Sequence, residues 1–141
     1  MKLLRTGKLG SEIVAAVDDN NIIRDLSDYI KDLNPQTINE ETLNKLKKVK
    51  LSELKEINPN IRIGSCISDP VDFLAIGLNY KAHAEGTKSK LPTEPIVFNK
   101  SSGCIQGPND QIIKPKSASK MDYEVEVGMI IGREGKYIKE E

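Results

Sequence analysis

Alternating apolar and polar positions predict short strands in the first 24 residues. The candidates are residues 3–5, 12–17 and 22–23, and the acidic and amide residues from Asp18 to Asn21 supply turn chemistry between the last two. Strands this short, separated by turn residues, are typical of hairpins. The pattern therefore predicts a small antiparallel meander at the start of the chain.

Two helical segments are predicted next. Residues 39–48 have Asn39 as a candidate cap, Glu40 and Glu41 in the first turn, and lysines near the end. That order complements the helix dipole. A second, shorter helix over residues 51–57 would be capped by Ser52. The connector 61–70 follows, and we place a domain boundary there, giving a small N-terminal domain over 1–66 and a second part over 67–141.

The second part of the chain is predicted to be rich in strands. A buried strand over 72–78 runs into a loop and one helical turn over 79–85, and short strands follow at 96–98 and 111–114. The fold class is therefore α+β, with a small N-terminal αβ domain followed by an incomplete β-rich domain, a mixed sandwich or roll.

The most informative predicted strand covers residues 122–132. Asp122, Glu124 and Glu126 alternate with apolar residues and share one face, whereas Met129 to Ile131 is apolar on both faces. Carboxylates one strand repeat apart are separated by roughly 7 Å, which suits two oxygen ligands of one hard cation such as Mg²⁺, Mn²⁺ or Ca²⁺. The alternative is an acidic face that is simply solvated.

Composition narrows the class of partner. Acidic and basic residues balance at 21 each, and aromatic residues make up 4% of the chain, with no Trp. We therefore expect neither nucleic acid nor a membrane surface as a partner. The start of the chain has no apolar stretch typical of a signal peptide, and Cys66 and Cys104 have no zinc-site spacing. These features predict a cytoplasmic protein with reduced cysteines.

Three side chains are candidates for chemistry on a small-molecule substrate. His83 is the only histidine and follows a predicted strand, so it is the natural general base near neutral pH. Glu85 is close enough in sequence to orient its imidazole. Lys100 follows another predicted strand and could pair with a substrate carboxylate. The alternatives are a structural histidine and an ordinary surface lysine.

Four segments together resemble the fumarylacetoacetate hydrolase family. Residues 76–85 (IGLNYKAHAE) resemble its GLNY-x-x-H-A segment, and residues 92–100 (PTEPIVFNK) resemble its P-x-E-P-hydrophobic-F-x-K segment. Residues 107–110 (GPND) match its G-P-x-D turn, and residues 122–126 (DYEVE) resemble its metal-binding strand. The N-terminal part, around residues 24–27, is similar to the small domain of bacterial members that act on sugar acids or ureidoglycolate.

The resemblance implies a divalent-metal-dependent enzyme that cleaves a C–C bond of a 2-oxo or 1,3-diketo carboxylic acid by hydrolysis. Isomerisation, decarboxylation and a ureidoglycolate-type lyase reaction are alternatives on the same scaffold. By matching position, Glu124 and Glu126 would hold Mg²⁺ or Mn²⁺, His83 with Glu85 would be catalytic, and the substrate would bind at the positions Asn79, Tyr80 and Lys100. A homodimer is implied at full length.

Two departures from the family pattern shape what we expect of the chain. The family's glutamate stands three residues after the histidine, where this sequence has Gly86. A third acidic metal ligand, which follows the metal strand in the family, is absent before Glu141. We therefore expect the N-terminal portion of a longer enzyme, inactive alone. The alternative is a non-catalytic piece that acts only in binding or assembly.

Overall fold

A computed structural model describes residues 1–140, which form two compact units. One unit contains residues 1–68 together with residues 107–140, and the other contains residues 69–106. The division into domains at residue 66 stays a prediction, because compactness within one structure does not show which part folds independently.

The first unit is built on the predicted antiparallel meander. Strands β1 (Lys2–Thr6), β2 (Ile13–Val17) and β3 (Ile23–Asp25) lie in the order β1-β2-β3. Leu4 pairs with Ala15, and Ala16 pairs with Arg24. The turn before β3 forms because the Asp18 carboxylate accepts the N–H groups of Asn20 and Ile22. The local pattern therefore predicted this sheet correctly.

The core of this unit lies between the sheet and the segment that follows it. Its buried apolar members come from β2, the turns after β3 and the first helix; they are Val14, Ala16, Leu26, Ile30, Leu33 and Leu46. Val14 and Ala16 are two residues apart on β2, so they share the face that contacts this layer.

Helix α1 (Glu40–Leu46) forms where the cap chemistry predicted it. The Asn39 side chain accepts the N–H of Thr42 at 2.9 Å, and Lys45 lies in the last turn. Leu46 is 2% exposed and anchors the helix in the core. A 3-10 helix then covers Leu51–Glu53, but Lys50 rather than Ser52 occupies its N-cap. The Ser52 cap was therefore wrong.

The second unit, residues 69–106, is a two-stranded sheet with one short helix. Strand β4 (Leu74–Gly77) pairs antiparallel with β5 (Ile96–Asn99), and α2 (Lys81–Gly86) lies between them in sequence. The strand predicted at 72–78 exists but is not buried, since Leu74 is 59% exposed. A strand is buried on both faces only where layers cover both, and one helix of six residues cannot supply them.

Residues 107–140 contain two turns, at 107–110 and 115–118, but no helix or strand. The strands predicted at 111–114 and 122–132 are therefore wrong for this structure. A strand is held by hydrogen bonds to a neighbouring strand, and no ladder to these segments forms among the described residues. The presence of both helices and strands is confirmed, whereas the predicted β-rich sandwich or roll is not.

No helix within residues 1–140 combines the length and the apolar character that a membrane crossing requires.

Candidate functional site

His83 lies in the middle of α2, and residues 78–80 connect the end of β4 to this helix. The chain leaves β4 through Leu78, whose φ of 51° lies in the left-handed region. Bulky side chains adopt that region rarely, and such residues cluster at functional sites. Asn79 and the exposed Tyr80 follow, and the carbonyl of Tyr80 accepts the N–H of Ala84 to open the helix. The backbone thus places Asn79, Tyr80 and His83 at one end of the β4–β5 sheet.

Helix α2 does not bring Glu85 to His83. Residues two apart on a helix point in different directions, whereas residues four apart face each other. Accordingly the Glu85 carboxylate lies 3.9 Å from the Lys81 ammonium. At Gly86, where the family has its glutamate, an added Cβ would meet nothing within 4 Å. The space for a side chain is present, and the catalytic roles of His83 and Glu85 stay predictions.

Lys100 lies at the other end of the same sheet. Its N–H donates to the carbonyl of Phe73 at 2.7 Å, one residue beyond the pair of Leu74 and Asn99. Because β4 and β5 are antiparallel, four residue pairs, roughly 10 Å of strand, separate this end from the end that leads into α2. The structure therefore does not bring Lys100 to the end that carries His83.

A depression of about 250 Å³ surrounds Lys100. Its wall is formed by residues before β4 and by residues from the end of β5 onward, namely Val71, Phe73, Asn99, Lys100, Ser101 and Ser102. Lys100 is half-buried there. The combination of one cation with amide and hydroxyl groups suits a small carboxylate.

Glu124 and Glu126 lie in the irregular segment and are both exposed. Carboxylates are the ligands that Mg²⁺, Mn²⁺ and Ca²⁺ prefer, so the two side chains fit such a cation in kind. They do not complete its coordination. Within residues 1–140, no group of three or more His, Cys, Asp or Glu side chains is placed to hold a metal ion.

An ionic cluster in the first unit was not predicted from the sequence. Arg62 donates two hydrogen bonds to the Asp110 carboxylate, at 2.8 and 2.6 Å, and one to Glu12 at 2.8 Å. Arg5 lies 3.5 Å from the other Glu12 oxygen and donates to Asp32 at 2.6 Å. The only local signal was the G-P-x-D turn that ends at Asp110.

The cluster holds its carboxylates in the ionised form. The hydrogen bonds from Arg62 are the main reason that the pKa of Asp110 is lowered. Burial acts to raise the pKa of Glu12, but the hydrogen bond from Arg62 and the charge of Arg5 more than offset it, so that pKa is lowered too. For Asp32, burial is likewise outweighed by the hydrogen bonds from Arg5 and Ser68, so its pKa falls. The hydrogen bonds of Arg62 to Asp110 and Glu12 raise the pKa of the Arg62 guanidinium.

The chain is an α+β protein whose second half carries the candidate histidine, lysine and carboxylates described above. Residues 72–141 match the family model described as fumarylacetoacetate (FAA) hydrolase C-terminal. The chain belongs to the fumarylacetoacetate hydrolase family through this half, which confirms the resemblance seen in its motifs.

Curated relatives agree with this membership. A protein of Burkholderia ambifaria named "Putative hydrolase" is 40% identical over 140 residues, covering 99% of this chain and 50% of the relative. Two proteins of Burkholderia lata and Burkholderia orbicola, whose names also begin with "Putative hydrolase", are 39% identical over 140 residues. Each match again covers 99% of this chain and 50% of the relative. The chain therefore spans about half the length of the curated relatives it matches, and its kinship is with hydrolase-type enzymes.

Proposed function

We propose that this chain contributes to a divalent-metal-dependent hydrolase that cleaves a C–C bond of a 2-oxo or 1,3-diketo carboxylic acid. The match of residues 72–141 to the family model carries this proposal. The names of the relatives favour hydrolysis over isomerisation, decarboxylation or a lyase reaction. We further propose a cytoplasmic homodimer at the full length of the family.

His83 is proposed as the general base. Its exposed position on α2, just beyond the end of β4, leaves the imidazole accessible to water and substrate. It takes a proton from water, and the hydroxide attacks the carbonyl carbon remote from the substrate carboxylate. The C–C bond then breaks to give a carboxylic acid and an enolate, whose carbon takes up a proton. Asn79 and Tyr80 lie beside this helix and are proposed to line the substrate pocket.

Lys100 is proposed to bind the substrate carboxylate. The depression at the end of β5 supports this role because it combines the half-buried lysine with serine and asparagine side chains. Glu124 and Glu126 are proposed as two ligands of Mg²⁺ or Mn²⁺, with Ca²⁺ as a further candidate. When bound, such a cation supplies Lewis-acid polarisation of the substrate's carbonyl oxygens.

The deciding experiment is substitution of His83 in a protein that carries this chain at the length of its relatives. We expect His83→Ala to lower kcat on an oxo-acid substrate by at least about 10²-fold, the usual scale for a lost general base. Mn²⁺ affinity should stay unchanged, since His83 is not a proposed ligand. Unchanged turnover would remove His83 from the mechanism.

Two further variants separate the proposed roles. Glu126→Ala should weaken Mn²⁺ binding before it affects turnover at saturating metal. Lys100→Met should mainly raise KM, as expected for lost ground-state binding. Glu85→Gln is the matched control on α2, because Glu85 faces Lys81 rather than His83. A loss of kcat in Glu85→Gln equal to that in His83→Ala would instead establish the His–Glu pair.

A further inference from the structure

The G-P-x-D turn is docked against the N-terminal sheet of its own unit. The Asp110 carboxylate accepts hydrogen bonds from Nε and Nη2 of Arg62, at 2.8 and 2.6 Å. This is the bidentate geometry that arginine–carboxylate pairs favour. One oxygen of the same carboxylate also accepts the N–H of Gly107 at 2.9 Å, which closes the turn. The Asp110 carboxylate therefore closes the turn that contains it and also binds Arg62.

Arg62 is also held in place by contacts that do not involve the turn. Its Nη1 donates to Glu12 at 2.8 Å and to the carbonyl of Gly7 at 3.1 Å, and its own carbonyl accepts the N–H of Gly7 at 2.9 Å. The neighbouring Ile63 forms a β-bridge with Thr6 at the end of β1. Because the guanidinium is held from several sides, little side-chain entropy is lost when the carboxylate binds.

The fit at the other end of the turn requires a glycine. Gly107 is buried, and a Cβ there would overlap the carbonyl oxygen of Ile63 and crowd the Asp110 carboxylate. The turn thus presents a flat backbone at its first position and an ionised carboxylate at its fourth. Those are the two features that the surface around Arg62 and Ile63 accepts.

We propose that Arg62, Glu12 and Ile63 form a receptor for the G-P-x-D turn, and that the Arg62–Asp110 pair is its main docking contact. The pair anchors the chain after Gln106 to the N-terminal sheet. The proposal goes beyond the catalytic function, because it assigns this motif an intramolecular binding role that does not depend on any substrate or metal.

Hydrogen exchange on the 141-residue chain tests the proposal. In Asp110→Asn, the amides of Gly107 and Asp110 should exchange about tenfold faster or more, since hydrogen bonds to charged groups have that scale. The ladder amides of β1 and β2 should stay within about twofold of the wild-type rate, because unpaired exposed turns open without global unfolding. Glu41→Gln, which removes an exposed ion pair of the same unit, is the matched control and should change neither set.

Arg62→Lys provides an independent reading if Asp110→Asn does not fold. An ammonium cannot span both carboxylate oxygens, so the turn amides should exchange faster than in the wild type while the ladder stays protected. Wild-type protection of the turn in either folded variant would overturn the proposal. So would an equal loss of protection across β1, β2 and the turn, because the pair would then support the whole unit rather than dock the turn.

Discussion

At the scale of single residues, two threonines show that burial and hydrogen bonding contribute separately to the free energy of unfolding. Thr6 is fully buried at the end of β1, and its hydroxyl has no hydrogen-bond partner among the described residues. Thr37 is half-buried, and its hydroxyl donates to the carbonyl of Asp32 at 2.6 Å. An unpaired buried hydroxyl costs free energy, whereas a paired one contributes to stability.

We therefore expect Thr6→Val to raise the free energy of unfolding by about 1 kcal/mol, because a methyl group replaces an unsatisfied hydroxyl of similar size. Thr37→Val is the matched control and should lower it by about 1–3 kcal/mol, since the Asp32 carbonyl loses its donor. Urea unfolding of both variants measures the difference. Destabilisation in Thr6→Val as large as in Thr37→Val would show that its hydroxyl has a partner.

The carboxylates of the ionic cluster around Arg5 and Arg62 make the free energy of unfolding depend on pH. The pKa values of Glu12, Asp32 and Asp110 are all lowered in the folded chain. The folded state therefore binds fewer protons than the unfolded state in the acidic range. Their stabilising effect is fully present above the unfolded pKa values, about 4, and is lost as the pH falls through the lower folded values.

We expect these three carboxylates to leave the melting temperature nearly unchanged above about pH 5. Below about pH 4 their protonation should lower it. Asp32→Asn should have a lower melting temperature at neutral pH and a shallower acid limb, because one of the lowered pKa values is gone. Thermal unfolding followed by circular dichroism at several pH values gives both quantities. An acid limb of wild-type steepness in Asp32→Asn would show that the ionised Asp32 carboxylate does not stabilise the fold.

At the scale of elements, local chemistry predicted helix α1 well and the later strands poorly. The cap at Asn39 and the acidic first turn are contained within a few residues, so they could be identified from the sequence. Strand β4 was found at the right place, but its burial was overestimated. Burial depends on layers that other parts of a protein supply, and sequence periodicity does not show whether they are present.

The Asn39 cap gives a direct test of this local determination. We expect Asn39→Ala to lower the free energy of unfolding by about 1 kcal/mol, the usual cost of a lost N-cap. Asn44→Ala, at an exposed position inside α1, is the control and should be neutral or slightly stabilising, since Ala has the higher helix propensity. Equal effects of the two substitutions in urea unfolding would show that the cap contributes nothing.

At the scale of the whole molecule, the second half of the chain exposes far more apolar surface than the first. The exposed fractions of Ile113, Met129 and Ile131 are 90%, 84% and 79%. The β4–β5 sheet adds Leu74, Val97 and other exposed apolar side chains, and a two-stranded sheet leaves both its edges unpaired. Exposed apolar segments and free edges promote association with other chains.

We therefore expect the 141-residue chain to self-associate as its concentration rises. The double substitution Met129→Lys and Ile131→Lys should shift it towards monomer, because it places charges in the most apolar part of the irregular segment. Leu9→Lys changes an exposed leucine in the N-terminal part, 74% exposed, and serves as the control. Sedimentation velocity measures all three proteins, and a concentration-independent wild-type monomer would refute the expectation.

The meander, the Asn39 cap, the turn at residues 107–110 and the family motifs could be predicted from the sequence, because each depends on residues close together in the chain. The other features depend on contacts between residues far apart in the chain. Arg62 and Asp110 are 48 residues apart, and Lys100 lies at the opposite sheet end from His83 through the antiparallel pairing of β4 and β5. The acidic segment at 122–132 has the pattern of a strand, but within residues 1–140 no ladder pairs it with another strand, and a strand requires such a ladder to form.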